Sequence, residues 1–239
     1  MLIKSDWKEA FKEVGVVSGM LVVLEGNLHD PQQTVGQYNT FLDALLDVIS
    51  SEGTIVYYMM NEYQNDPSQW DVDVPLAEYE TIRVQLAQST NVSPTQDMLA
   101  NTMLLRDDCI LKRHPAFSVL VIGKYARFIT RKIPLHFPNG KLGPMQACVD
   151  LKGHALLINE LSLQSYSFAH ALLNKKTPVV VSGGVLIENG IARWQKYLDA
   201  SVPYKQMHEL YQSLIETNKG KQINFYNNQL TLCSLEVRK

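Results

Sequence analysis

The sequence predicts an α/β fold, in which a central mixed β-sheet is flanked by helices in three layers and a β-hairpin lies near residues 180–198. Strand-length apolar runs alternate with segments whose apolar residues recur at helical spacing. The dipeptide Asn189-Gly190 is the strongest short signal for a hairpin turn. No linker rich in glycine, proline or serine divides the chain, so we expect a single domain over residues 1–239.

The first elements alternate between helix and strand. An amphipathic, charged helix opens the chain, and the apolar run Gly19–Leu24 favours a buried strand. Apolar positions from Phe41 to Ile49 recur at helical spacing, and Gly53 is expected to end that helix. The β-branched and aromatic stretch Thr54–Met59 then predicts a second strand. The order of strand, helix and strand indicates the α/β class.

The later elements are predicted in the same way. Further helices are expected at Leu76–Gln88, Met98–Leu105, Ser165–Asn174 and Tyr204–Thr217. Further strands are expected at Phe117–Ile122, Ala155–Ile158 and Pro178–Ser182. The apolar sequence PVVVS predicts that the last of these strands lies in the core. From residue 223 onwards the pattern is mixed and supports no assignment.

Composition and charge exclude several classes of protein. A hydrophobic fraction of 46% with 19% charged residues is typical of globular proteins, and a net charge of −2 gives no general attraction to nucleic acid. No apolar run approaches the roughly 20 residues that a membrane helix needs. Three scattered cysteines indicate a reducing compartment, so we expect a cytoplasmic protein. Metal-binding spacings and phosphate-binding glycine motifs do not occur, so no metal is expected.

A histidine-proline pair precedes the strand at Phe117–Ile122, in the sequence LKRHPAFSVLVIG. Proline biases the preceding residue towards extended backbone, which places His114 at the lip of a strand where it can face a cleft. An imidazole with a pKa near 6.5 suits proton abstraction at neutral pH. The alternative is a turn histidine at the surface with no catalytic role. The residue types alone leave both interpretations open.

An acidic and aromatic segment lies between Tyr57 and Ile82. It contains six acidic residues and neither lysine nor arginine. Clustered carboxylates attract polycations, and aromatic rings stack on sugars or cations. The predicted substrate-binding residues of this segment are Glu62, Tyr63, Asp66 and Trp70. A solvated acidic loop explains the same pattern and stays open as the alternative.

Several stretches of the chain follow one another in the order of a known family. They are EGTIVYY, NDPSQW, SPTQDM, RHPAFSVLVIG, GHALLINELSLQSYSFAHAL and GVLIENGIARWQKYLD. The similarity that they mark covers roughly residues 8–215. In order and content these stretches resemble the aminoglycoside 3-N-acetyltransferase family, and the agreement in order is more specific than any single motif.

The resemblance implies an acetyl-CoA-dependent N-acetyltransferase of antibiotic resistance, which acts on an amino-sugar antibiotic or a similar cationic amine. His114 holds the position of the histidine that deprotonates the attacking amine. A second catalytic group is implied at His170 or Glu160, between which the alignment can shift. The residues implied to bind acetyl-CoA are Leu24, Glu25, Gly26, Asn27, Thr34 and Ser118.

Departures from the family pattern motivate a second hypothesis. The family usually carries a glutamate where the alignment puts His170, and an arginine where this chain has Gln96. The alternative function is therefore that of a catalytically inactive relative, acting as a binding or assembly protein. The expected partners are a small-molecule amine and an acyl-CoA, with neither nucleic acid nor a membrane, and a homodimer is left open.

Overall fold

A computed structural model of the chain describes residues 1–60, 65–69, 72–88, 97–159, 161 and 165–236. Its strands are β1 Leu21–Gly26, β2 Thr54–Met60, β3 Cys109–Arg113, β4 Phe117–Gly123, β5 His154–Ile158, β6 Val179–Glu188, β7 Ile191–Ala200, β8 Gly220–Phe225 and β9 Asn228–Ser234. Its helices are α1 Lys4–Val14, α2 Gln37–Ile49, α3 Tyr79–Gln88, α4 Met98–Leu104, α5 Ala126–Ile129, α6 Pro144–Asp150, α7 Tyr166–Leu172 and α8 Tyr204–Glu216. None of these helices is long and apolar enough to span a bilayer.

Seven of the strands form one mixed sheet in the order β3-β4-β2-β1-β5-β9-β8. Strand β1 runs parallel to β2 and β5, so the carboxyl ends of these three strands lie along one edge. Strand β4 is antiparallel to β2 and pairs Phe117 with Met60, which brings the turn between β3 and β4 to the same edge. We call this side the carboxyl edge; in open α/β sheets ligands bind outside it.

Alternating side chains of the sheet enter two separate cores. Val22 and Leu24 pack with residues of α1, α2 and α4 on one face, because side chains two apart on a strand share a face. Leu21 and Val23 pack on the other face with residues of α5, α6, α7 and α8. The sheet is therefore the middle of three layers. This arrangement confirms the predicted α/β class.

Strands β6 and β7 form a hairpin outside the sheet, with Asn189-Gly190 at its tip. Both tip residues have positive φ, 51° and 76°, as the predicted tight turn requires. The prediction of a core strand at Pro178–Ser182 was wrong, because Val179 and Val181 are 57% and 73% exposed. Their apolar run belongs to this hairpin and lies outside both cores.

Some element ends also differ from prediction. Helix α2 ends before Ser50, which adopts φ 60° as the cap, rather than at Gly53. Gly53 instead packs so closely that an added Cβ would lie 2.5 Å from Cβ of Ile49. The C-terminal segment that carried no prediction forms β8 and β9. Strand β9 completes the sheet by pairing with β5.

Candidate functional site

The turn that carries His114 joins β3 to β4 at the carboxyl edge. The backbone N–H of His114 donates to the carbonyl oxygen of Phe117 at 3.0 Å, which closes the turn. Nδ1 of the ring accepts a hydrogen bond from the N–H of Ala116 at 3.0 Å, and Nε2 lies 3.0 Å from the carbonyl oxygen of Leu135. Because Nδ1 is the acceptor, the proton of the neutral ring sits on Nε2, which donates to Leu135.

The His114 imidazole is buried and neutral. Its side chain is packed against the rings of Phe117 and Tyr197, at centroid distances of 5.5 and 5.3 Å. Burial lowers the pKa of His114 from 6.5 to about 4, and the hydrogen bond to Leu135 offsets only part of that effect. The ring is therefore unprotonated at pH 7, as a base must be, but its Nδ1 lone pair is taken by Ala116. Its role as general base stays a prediction.

A cavity of about 330 Å³ lies beside this turn, within the size range of small-molecule sites. Its floor includes Met60 and Phe117 at the carboxyl edge, Tyr166 of α7 forms one wall, and Tyr197 and Asp199 of β7 form another. Among the described residues that line it, Asp199 is the one with a charged side chain. We call this space the acidic cavity.

Asp199 and Asn139 are two polar residues in the lining of the acidic cavity. Asp199 is partly buried, and burial raises the pKa of its carboxyl, although the Ala200 N–H donates to Oδ1 at 2.8 Å. Asn139 is 8% exposed and its Nδ2 donates to the carbonyl oxygen of Tyr166 at 2.8 Å. Its Oδ1 accepts no hydrogen bond from any described residue. Because Oδ1 of Asn139 is itself buried, the Asp199 carboxylate is the charged acceptor that the cavity offers to a ligand rich in N–H groups.

A second cavity, of about 440 Å³, lies on the other side of the same turn, between β3 and the hairpin. Its charged lining residues are Lys112, Arg113, Glu188 and Arg193, three cations and one anion. Arg193 is paired with Glu188. We call this space the basic cavity. His114 lines it as well, so the histidine stands between two spaces of opposite charge.

The residues predicted to bind acetyl-CoA are all described, and none of the six lines either cavity. Leu24 and Ser118 are each 1% exposed. Oγ1 of Thr34 accepts a hydrogen bond from the Trp7 indole at 3.1 Å, in the core beneath the sheet. Their assignment to the acyl donor stays a prediction, and their observed contacts are those of the protein interior.

The remaining three of these residues tie the end of β1 to its neighbours. Glu25 accepts hydrogen bonds from Oγ of Ser165 and from the N–H of Ser167, at the start of α7, and burial raises its pKa. Gly26 has φ 88° and lies so close to Ile158 that an added Cβ would be 2.2 Å from its carbonyl oxygen. The carbonyl of Asn27 accepts from the Asn159 amide at 2.6 Å.

Of the two candidates for the second catalytic group, His170 is described by the structure and Glu160 lies outside the described residues. His170 is on α7, and its Nδ1–H donates to the backbone carbonyl of Asn139 at 2.6 Å. Burial lowers the pKa of His170. The two backbone partners of the His114 ring, on Ala116 and Leu135, do not belong to α7. The choice between His170 and Glu160 stays open.

Asp66 is the one predicted substrate-binding residue whose surroundings are described; Glu62, Tyr63 and Trp70 lie outside the described residues. Its Oδ2 accepts from Arg83 at 2.7 and 3.1 Å, and Oδ1 accepts from the Ser68 hydroxyl at 2.8 Å. Burial raises the pKa of Asp66, but the hydrogen bonds from Ser68 and Arg83 outweigh burial and lower it. Its N–H donates to Gly183, which fastens this segment to the hairpin.

Sequence reasoning did not single out Asp199, Asn139 or Arg113. Arg113 stands directly before His114, and a cation beside the histidine-proline pair was the available signal. No sequence signal marks Asp199 or Asn139, because these residues come together only when the hairpin packs against residues 136 and 137. Leu198 accepts a hydrogen bond from the Phe137 N–H at 2.8 Å and donates to Nδ1 of His136 at 3.1 Å.

The fold is that of an α/β acyltransferase. The crystal structure of YokD from Bacillus subtilis has a TM-score of 0.86 and 23% identity to this chain, covering 98% of this chain and 94% of YokD. The sequence model of aminoglycoside 3-N-acetyltransferases matches residues 26–237. The chain belongs to the aminoglycoside 3-N-acetyltransferase family, which confirms the resemblance found in its motifs.

Similar proteins include both sequence relatives and solved structures. The Bacillus subtilis (strain 168) protein YokD, an SPbeta prophage-derived aminoglycoside N(3')-acetyltransferase-like protein, is 27% identical over 193 residues, which are 75% of this chain and 71% of YokD. AAC-IIIb, solved with CoASH, has a TM-score of 0.78 at 14% identity, covering 98% of this chain and 92% of its own. AAC-VIa, solved with sisomicin, has a TM-score of 0.78 at 17% identity, covering 98% and 93%. At such identities the structural likeness shows the shared fold.

Proposed function

We propose that this chain, as a single domain over residues 1–239, is a cytoplasmic acetyl-CoA-dependent N-acetyltransferase whose acceptor is an aminoglycoside or a similar polycationic amine. Family membership supports acyl transfer. The CoASH held by AAC-IIIb and the sisomicin held by AAC-VIa support the identities of donor and acceptor. The observation that carries the proposal for this chain is the acidic cavity, which places the Asp199 carboxylate beside the turn of His114.

The acidic cavity suits an amine that arrives as an ammonium ion. Asp199 lies in a partly desolvated position, where the attraction between opposite charges is stronger than in water. The ammonium in turn favours the ionised carboxylate and opposes the effect of burial on its pKa. Tyr166 and Tyr197 line the cavity and add aromatic surface to it. The cavity can therefore hold and orient an amino sugar.

Acetyl-CoA, when bound, supplies an acetyl group activated as a thioester. The chain must then remove a proton from the attacking amine, because only the neutral amine is nucleophilic. We assign this step to His114, which takes the proton on Nδ1 once the Ala116 N–H has turned away. The Nε2–H bond to Leu135 keeps the other ring proton fixed during the transfer. His170 or Glu160 is assigned as the second group, which supports the charged ring.

The test follows thiol release from acetyl-CoA in the presence of sisomicin, gentamicin and a simple diamine. We expect turnover with at least one aminoglycoside. Asp199→Asn should raise KM for the amine about tenfold or more with a smaller effect on kcat, since it removes one charged contact. Asp107→Asn, an exposed acidic position before β3, is the matched control and should leave KM unchanged.

Two results contradict the proposal. Turnover at background with every amine removes the transferase assignment, and an unchanged KM in Asp199→Asn removes the role of the acidic cavity. Full activity in His114→Ala removes the assigned base but leaves acyl transfer in place. The comparisons do not favour the alternative of an inactive relative. The engaged ring of His114 nevertheless favours one further measurement: calorimetric binding of CoA without turnover would support a binding protein.

A further inference from the structure

We propose that this chain associates with a second copy of itself, through a basic surface of one copy and an acidic surface of the other. The basic surface, which we call the Phe128 face, consists of Arg127, Phe128, Arg131 and Lys132. The acidic surface, which we call the Leu76 face, consists of Asp73, Leu76, Glu78 and Glu80. Neither face contributes a residue to the acidic cavity or the basic cavity, so the inference does not depend on the proposed function.

The Phe128 face belongs to a strongly basic part of the chain. Between Asp108 and Asp150 the sequence contains seven lysines and arginines and no acidic residue, although the whole chain has a net charge of −2. Within this stretch Arg127, Arg131 and Lys132 are exposed, and none of the three forms an ion pair with a described residue. The positive charge of this face is therefore not neutralised within the described part of the chain.

An exposed aromatic ring completes the Phe128 face. Phe128 lies in α5 and is 50% exposed. The helical turn continues past α5, because the N–H of Arg131 donates to the carbonyl oxygen of Phe128 at 3.4 Å. The Arg131 guanidinium lies 5.8 Å from the centre of the Phe128 ring, a contact that orders both side chains at the surface. Arginine and aromatic side chains are enriched in protein interfaces, so this face has the composition of a docking surface.

The position of the Phe128 face separates it from the candidate site. The N–H of Lys124 donates to the carbonyl oxygen of Gly53 at 3.0 Å, directly before β2 begins. Helix α5 therefore starts at the end of the sheet opposite to the carboxyl edge. A partner on this face can bind while both cavities stay accessible.

The Leu76 face has the complementary composition. Leu76 is 81% exposed, and the acidic residues near it in the sequence are exposed as well. Glu80 makes one contact, at 3.5 Å, with Arg83, whereas Asp73 and Glu78 form no ion pair with a described residue. An apolar side chain among carboxylates thus faces the solvent on one surface, and an aromatic ring among cations does so on the other. The two faces match in their apolar centres and are opposite in charge.

This complementarity selects a second copy of the chain as the partner. Among the described residues, no ion pair joins the two faces within one copy. Surfaces of opposite potential attract each other during diffusional encounter, so the Phe128 face of one copy is drawn to the Leu76 face of another. The contact joins two different surfaces of the same chain and is therefore heterologous.

Sedimentation velocity of the full chain from about 1 to about 300 µM measures this self-association. We expect a sedimentation coefficient that rises with concentration at about 50 mM NaCl, and association at least about tenfold weaker at about 500 mM, because salt screens exposed charges. Arg127→Glu combined with Arg131→Glu should weaken association at least about 100-fold, because it places like charges opposite each other. The control Lys205→Glu, at an exposed position of α8, should stay within about twofold of the wild type.

A charge exchange between the faces tests whether they contact each other. Glu78→Lys combined with Glu80→Lys should weaken association as the arginine replacements do. An equal mixture of the two double variants should associate again, because a reversed Phe128 face then meets a reversed Leu76 face. Far-UV circular dichroism checks that each variant is folded, and recovery on mixing itself requires two folded proteins.

The outcomes that overturn the inference are distinct from failure of acyl transfer, which is measured by thiol release. A wild type that stays monomeric over this range at low salt overturns the inference. If that monomer instead binds vesicles of anionic lipid and loses binding on replacement of Arg127 and Arg131, the Phe128 face serves a membrane surface and not a second copy. Association that neither double variant weakens, or that the mixture does not restore, overturns the pairing of the two faces.

Discussion

The buried ring of His114 predicts a specific loss of stability in acid. Its pKa is about 4 in the folded chain, because burial disfavours the charged ring, and about 6.5 when unfolded. Between these values the unfolded chain binds a proton that the folded chain does not. The stability linked to this group is therefore fully present above pH 6.5 and is lost as the pH falls towards 4. At pH 5 the loss amounts to roughly 2 kcal/mol.

The informative variant is His114→Asn. An asparagine oxygen can still accept from the N–H of Ala116 two residues on, so the turn is kept while the titrating ring is removed. The Leu135 carbonyl loses its donor, which costs about 1–3 kcal/mol at every pH. Against that constant offset, the free energy of unfolding should fall by about 2 kcal/mol less in the variant than in the wild type between pH 7.5 and pH 5.

Urea unfolding followed by tryptophan fluorescence at several pH values measures this difference. His208→Asn, at an exposed position of α8, controls for removal of a histidine and should follow the wild type. Parallel curves for the wild type and His114→Asn would refute the reasoning, since they would mean that the His114 ring titrates alike in both states. They would also imply that the ring is reached by water more freely than its contacts indicate.

Three further predictions concern single positions. Gly26→Ala should lower the free energy of unfolding in urea by at least about 3 kcal/mol, because the added Cβ would overlap the Ile158 carbonyl. In the control Gly190→Ala nothing lies within 4 Å of the added Cβ, and the loss should be about 1 kcal/mol; equal losses in the two variants would contradict this prediction. Burial raises the pKa of Cys148 to about 12, so its thiol should react with a disulfide reagent at pH 8 only when the chain unfolds. Rapid labelling of Cys148 in the folded chain would contradict this prediction. Burial also raises the pKa of Glu25 above 4.5, so the free energy of unfolding of the wild type relative to Glu25→Gln should decline as the pH rises from 4.5. A difference between the two proteins that stays constant with pH would mean that the pKa of Glu25 is not raised in the folded chain.

Local sequence patterns were enough to predict the centre of the fold. Strand β2 is a continuous apolar run because both of its faces are buried, and such runs are readily recognised. The Asn189-Gly190 turn was equally clear, because only a few residue pairs tolerate positive φ at both positions. Strands β3, β8 and β9 were not predicted; β3 and β8 form the two edges of the sheet and carry no sustained apolar run.

The candidate site was less accessible to sequence reasoning. His114 was found because proline fixes the backbone beside it, but the partner of its Nε2 is the carbonyl oxygen of Leu135, which is brought there by the tertiary fold. The exposed valines of β6 show the same limit, because an apolar run does not reveal whether a sheet will cover it. Asp199 gains its place from hydrogen bonds between the hairpin and residues 136 and 137.

The hairpin of β6 and β7 forms a wall of both cavities, with Tyr197 and Asp199 on one side and Leu186 and Arg193 on the other. A ligand that repositions this shared wall from one side changes the affinity on the other side. Thermodynamic reciprocity requires the two effects to be equal in free energy. Ligands of the two cavities would therefore be coupled through the hairpin, without any contact between the ligands themselves.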